Sequence, residues 1–128
     1  MLHFFSMRER AALSASPYAL PVLPAVAFAI SAAVRLMQGS STVAMMTAAG
    51  LVSAMLPEPR PSQQMLALMV IAIAAGATTG SHVNDSGFWL VGRLMGMDVK
   101  TTLKTWTVQQ ALESVLAFLI ILVVFAVA

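Results

Sequence analysis

The sequence predicts an all-α integral membrane protein, and three observations carry that prediction. Charged residues make up 9% of the chain and hydrophobic ones 59%, against about a quarter charged in ordinary soluble domains. The charges are placed so that residues 11–34, 36–57 and 61–84 hold none, and 105–128 holds only Glu113. Each window approaches the roughly 20 apolar residues that a helix needs to cross about 30 Å of hydrocarbon. Finally, the apolar runs are interrupted by two polar clusters, "QGSST" at 38–42 and "TTGSHVNDSG" at 78–87. Irregular backbone at membrane depth persists only where protein buries it or a wet cavity receives it.

The elements follow in order. A short lead carries Arg8, Glu9 and Arg10; a signal peptide is disfavoured there, because the apolar run that follows continues to Met37. Segment one spans about 18–37, with Pro21 and Pro24 near its start, where the first helical turn tolerates proline. Segment two, "STVAMMTAAGLVSAML", runs from about 41 to 56 and stops at Pro57, and "PEPRP" is a rigid loop. At 1.5 Å per residue segment two reaches only roughly 24 Å, so a re-entrant hairpin over 18–56 fits as well as two spans. A broken helix is expected over 63–97, interrupted by the second polar cluster. "GMDVKTTLKTW" reads as a loop, and the last helix is expected over 107–128, opened by a Thr107–Gln110 capping box. Trp106 beside it suits an interfacial anchor. Lys and Arg divide evenly between the two sides; the 93–104 loop is taken as cytoplasmic because its charges adjoin a helix start.

The two breaks hold the candidate chemistry. A carboxylate at membrane depth costs a few kcal/mol and normally faces a cavity or a partner. Asp85 is the acid of the second break and His82 lies three residues upstream, a pair suited to carrying and tuning a proton. Asn84, Ser81 and Ser86, with Thr78 and Thr79, offer neutral donors and acceptors to a polyhydroxylated ligand. The structural alternatives are a self-satisfied kink, or Asp85 capping the helix that begins at Gly87. In the first break Ser40 or Ser41 can cap segment two, whose amide end then favours anionic groups. Arg35 could pair with a ligand carboxylate or with Asp85, or extend its head to the interface. Glu113 reads as a solvated residue and the ten methionines as packing.

Other classes are excluded. The seven basic residues are scattered, with no basic patch for nucleic acid. There is no cysteine, hence no thiol nucleophile or thiolate metal site. Ser81, His82, Asp85 and Ser86 are too close together to read as a triad. The second histidine, His3, is far from His82, which leaves a metal centre short of ligands. No enzyme activity and no cofactor are expected.

"RLMQGSSTVAMMTAAG" (35–50) and "SHVNDSGFWLVGRLMGMDVKTTLKTWTV" (81–108) resemble the C-terminal region of the gluconate permease family, the likeness covering about 14–128. Those are gluconate:proton symporters of the inner membrane, with relatives for other sugar acids and D-serine. The resemblance implies a multi-pass carrier of the ion-transporter superfamily, in which hairpin tips and broken helices of two inverted repeats meet at the midplane. Carried over, Gln38, Gly39, Ser40, Ser41 and Thr42 form the hairpin tip, and the break runs from Ser81 to Gly87. Substrate contact falls to those five residues with Ser81, Asn84 and Ser86. Proton coupling falls to His82 and Asp85, with protons expected rather than sodium. Family members are several times longer, and residues 1–13 match no part of them. The resemblance therefore implies a C-terminal fragment inactive alone, completed by a missing N-terminal half or by homo-oligomerisation. A small non-transporting membrane protein or partner subunit is the alternative.

Overall fold

The structure, a computed structural model, describes residues 19–58 and 60–127; the lead 1–13 lies outside them. Its helices are α1 (Ala19–Gln38), α2 (Ser41–Met55), α3 (Gln63–Ala77), α4 (Ser86–Leu94), α5 (Val99–Thr102) and α6 (Val108–Val127). A π-turn, Leu103–Thr107, joins α5 to α6. No strand occurs among the described residues.

Local chemistry sets most boundaries. Pro24 lies inside α1, buried in its second turn. Gly39 ends α1 at φ 72°, a conformation that glycine adopts without a Cβ penalty. Ser40 then caps α2, its Oγ accepting from Val43 N–H at 3.3 Å. Leu56 is extended, as the residue before a proline must be, and ends α2. Ser62 caps α3 by accepting from Met65 N–H.

In lipid, helices associate through close packing of small residues and a few interhelical hydrogen bonds. The α1–α3 crossing has both. Ala27 and Ala72 are fully buried there, and Ser31 Oγ donates to Ile73 O at 2.7 Å. A Cβ on Gly76 would collide with Phe28 O and come within 2.9 Å of Ser31 Cβ. On its other side α3 meets α6. Ser114 Oγ donates to Ala75 O at 2.8 Å, and therefore accepts from Thr79 Oγ1 at 2.5 Å. Phe28 and Phe118 stack at 4.3 Å across the same core. α2 packs on α1 and more lightly on α3.

The last helix differs from the sequence expectation. It does not open at the Thr107–Gln110 box: a helix is already running from Val99 and continues to Phe125, 27 residues. Asp98 is the cap, its Oδ1 accepting from Thr101 N–H at 2.9 Å. This earlier cap prevails because the box at 107 then falls inside a helix whose amides are already satisfied. Thr107 Oγ1 instead donates to Ser81 O at 2.5 Å. At 1.5 Å per residue the helix is roughly 40 Å long. Among the described residues it is the one long and apolar enough to cross a membrane. α2 and α3, 15 residues each, fall short of the roughly 30 Å needed.

Two outcomes follow from this packing. Gly76→Ala is expected to destabilise the chain by about 1–3 kcal/mol through overpacking. Gly50→Ala, where a Cβ meets nothing within 4 Å, is expected to gain up to about 1 kcal/mol of helix propensity. Denaturant unfolding in mixed micelles separates them, and equal effects would contradict the close α1–α3 crossing. The second concerns Asp98, whose carboxyl is held below the usual carboxylate range by hydrogen bonds from Thr101. Because the folded value is the lower one, its stabilisation is present above the ordinary carboxylate pKa and lost as pH falls through the folded one. Amide exchange over 99–102 is expected to speed up, relative to its intrinsic rate, between pH 7 and pH 3. Asp98→Ala is expected to show the faster pattern already at pH 7.

Candidate functional site

The two polar breaks meet, and a buried ion pair joins them. Arg35, in the last turn of α1, is 5% exposed, so its head does not extend to the interface. Its Nη2 donates to Asp85 Oδ2 at 2.6 Å, and its Nη1 donates to Gly39 O. Asp85 is also the cap of α4: its Oδ1 accepts from Gly87 N–H at 3.0 Å. The capping role and the ion pair, alternatives at the level of sequence, are thus both fulfilled by one carboxylate.

Further bonds fix this geometry. Asn84 Nδ2 donates to Leu36 O at 3.0 Å, satisfying a terminal carbonyl of α1 across 48 positions of sequence. Gly39 is buried against the same residue; a Cβ there would collide with Asn84 O. Ser81 Oγ donates to Asp85 Oδ2 and accepts from Trp106 Nε1–H at 2.8 Å. Trp106, expected as an interfacial anchor, is thus tied to the break. The π-turn accounts for this, because its extra residue re-aims the Trp106 and Thr107 side chains toward Ser81.

The sequence-predicted residues separate into groups. Gly39, Ser81, Asn84 and Asp85 converge on or beside the pair. Ser40 is committed to capping α2, while Ser41 is half-buried and Gln38 and Thr42 are exposed on the same turn. Ser86 is exposed at the start of α4. The His82 ring is directed elsewhere: Nδ1 lies 2.9 Å from Gly80 O. A carbonyl can only accept, so Nδ1 carries a proton there. Asp85 meets His82 through backbone alone, its N–H donating to His82 O at 2.8 Å. Glu113 is exposed and accepts from Gln109 and Gln110. Among the described residues no cluster of histidine and carboxylate could hold a metal ion.

Sequence reasoning missed Trp106 and Thr107 as parts of the site. The "LKTW" motif drew attention to them, but nothing in it points 25 residues back to Ser81. The arrangement offers one buried cation, one buried anion and exposed hydroxyl and amide groups on two adjoining turns.

Comparisons with known proteins give the chain's family. Residues 10–127 match the model of the GntP family permease. The low-affinity gluconate transporter of Escherichia coli K12 is 41% identical over 98 residues, 77% of this chain and 22% of the transporter. The inner membrane permease YgbN of the same organism is 45% identical over 108 residues, 84% and 23%. Its Gnt-II system L-idonate transporter is 43% identical over 98 residues, 77% and 22%. The chain thus spans less than a quarter of the length of these relatives. No solved structure matches it.

Ser81→Ala is expected to cost about 1–3 kcal/mol, because it strands the Trp106 N–H and removes a donor from Asp85. Trp106→Phe, which leaves Ser81 bonded to Asp85, is expected to cost less. Thermal unfolding in micelles measures both, and a cost for Ser81→Ala below that of Trp106→Phe would contradict the shared hydroxyl.

Proposed function

The chain belongs to the GntP permease family, and from that premise we propose that it supplies the C-terminal part of a carrier for gluconate or a related sugar acid. The observation that carries the reading is the junction of the two breaks by Arg35 and Asp85. An isolated structural kink has no need to bring a second break, 50 positions away, against its carboxylate. In this reading α1 and α2 form a re-entrant hairpin, within 18–56, whose tip is Gln38–Thr42. α3 and α4 are the halves of one broken helix within 63–97. The final helix is a full span of a multi-pass carrier in the inner membrane, and the hairpin and break contribute half of a midplane site of the ion-transporter superfamily type.

Substrate contact is assigned to Gln38, Gly39, Ser40, Ser41, Thr42, Ser81, Asn84 and Ser86. Transport is proton symport, with Asp85 holding the coupled proton and His82, whose ring is turned to Gly80 O, assigned to its delivery along the break. The relatives' names speak for gluconate and L-idonate, and D-serine falls within the same chemistry of a carboxylate beside hydroxyl or amine groups. Half of a site does not supply alternating access, so the 128 residues alone are expected not to transport. The remaining repeat, or a further copy of the chain, completes the path.

A chimera tests this. Residues 10–127 replace the matching segment of the low-affinity gluconate transporter, and labelled gluconate uptake is measured in permease-deficient cells. Uptake driven by a proton gradient is expected, with accumulation lost in Asp85→Asn. A chimera that inserts fully yet takes up no gluconate, idonate or D-serine would contradict the reading.

A further inference from the structure

The Arg35–Asp85 pair is an incomplete match. Arginine grips a carboxylate best side-on, with Nε–H and one Nη–H donating in parallel to its two oxygens. Asp85 offers Arg35 one oxygen only: Oδ2 meets Nη2 at 2.6 Å, while Oδ1 is held 3.0 Å from Gly87 N by the cap of α4. Nη1 is engaged by Gly39 O. Nε is buried with no hydrogen-bond partner among the described residues, in a side chain 5% exposed. A buried donor left unmade costs free energy that a second acceptor recovers. The half of the fork that Asp85 cannot fill is the half a free carboxylate would fill.

We propose that Arg35 is the receptor for the ligand's carboxylate, and that Asp85 holds its place: the ligand displaces Asp85 from Arg35, taking Nε and Nη2 together, as Asp85 accepts one proton from solution. This rests on the sugar-acid reading above and deepens it, because Arg35 is outside the residues assigned there. Charge balance gives the stoichiometry. Arg35 and Asp85 together are neutral, so an added anion leaves the buried site with a net negative charge, which low dielectric disfavours strongly. One proton on Asp85 restores neutrality, so one proton accompanies one monoanion.

The surrounding bonds accommodate both states. When Oδ2 is protonated it donates to Ser81 Oγ, which then accepts from both Asp85 and Trp106 and turns its own O–H to the ligand, while Oδ1 still accepts from Gly87. No other charged group lies in α1, α2 or α3 as described. His82 is the other titratable group of the break and is turned to Gly80 O. Beyond the break, Arg93 on α4, and Lys100, Lys104 and Glu113 on the last helix, are all exposed.

The test is an NMR titration of the full 128-residue chain in lipid nanodiscs with 15N-labelled arginine, the Arg35 Nε–H signal being assigned through Arg35→Lys. Gluconate is expected to shift that signal saturably. Apparent affinity should rise as pH falls by up to about tenfold per unit, the limit for one coupled proton. Gluconamide, with the same hydroxyls and no charge, is expected to leave the signal unmoved. Asp85→Asn, which preserves the cap oxygen, is expected to bind gluconate without pH dependence; Arg35→Lys, which has no such signal and is followed by equilibrium binding of labelled gluconate, is expected to bind about 10- to 100-fold more weakly. Gluconate bound with the Arg35 signal unmoved would overturn the proposal. So would a pH dependence that survives Asp85→Asn and disappears in His82→Gln. Acetate moving the signal of Asp85→Asn as readily as gluconate would leave the anion site standing and sink the sugar-acid reading. If no carboxylate moves the signal in either form, the proposal falls whatever the chimera does.

Discussion

The described structure depends on one electrostatic constraint: Arg35 and Asp85 are both buried and each is the other's counter-ion. Removing either charge from water is expensive, and breaking such a pair from one side leaves the survivor uncompensated. The end of α1 and the start of α4 are therefore held together although 50 positions separate the two residues. Much of the local geometry serves that junction. Gly39 has no Cβ to keep Asn84 away, Asn84 completes the end of α1, and Ser81 links the carboxylate to Trp106 on the last helix.

A neutral pair at a helix break has a functional consequence that a fully apolar packing would lack. It can be exchanged, because a proton and an anion together are electrically equivalent to what was there before. In the proposed reading that anion is a sugar acid, and the unfilled half of the arginine fork is where its carboxylate would lodge. The other side of the same chain, the long apolar final helix, is mostly unburied, leaving most of its surface for lipid or for further protein.

The uncharged windows and the two polar breaks were legible in the sequence because composition dictates them. A cap at Ser40 or Ser41, of which Ser40 is the one formed, and Asp85 as either cap or ion-pair partner, were legible because few groups can satisfy a helix N-terminus or a buried carboxylate. The start of the last helix was not. "TVQQ" is a valid capping box, but "MDVKTT" upstream holds an equally valid cap, and Asp98 prevails by coming first. The π-turn has no composition signal, so the redirection of Trp106 and Thr107 to Ser81 was invisible. The separation of the His82 ring from the Asp85 carboxylate was also beyond reach, since three-residue spacing brings side chains together only on a regular helix, and this segment is a turn.

The most direct measurement is a double-mutant cycle on stability in lipid, with Arg35→Gln, Asp85→Asn and the two combined. If the pair is the constraint that joins the breaks, the two substitutions couple by more than about 1.5 kcal/mol, the double variant being more stable than the sum of the single losses allows. Additivity within about 0.5 kcal/mol, the behaviour of independent sites, would mean that the breaks are held by something else, and would contradict the account.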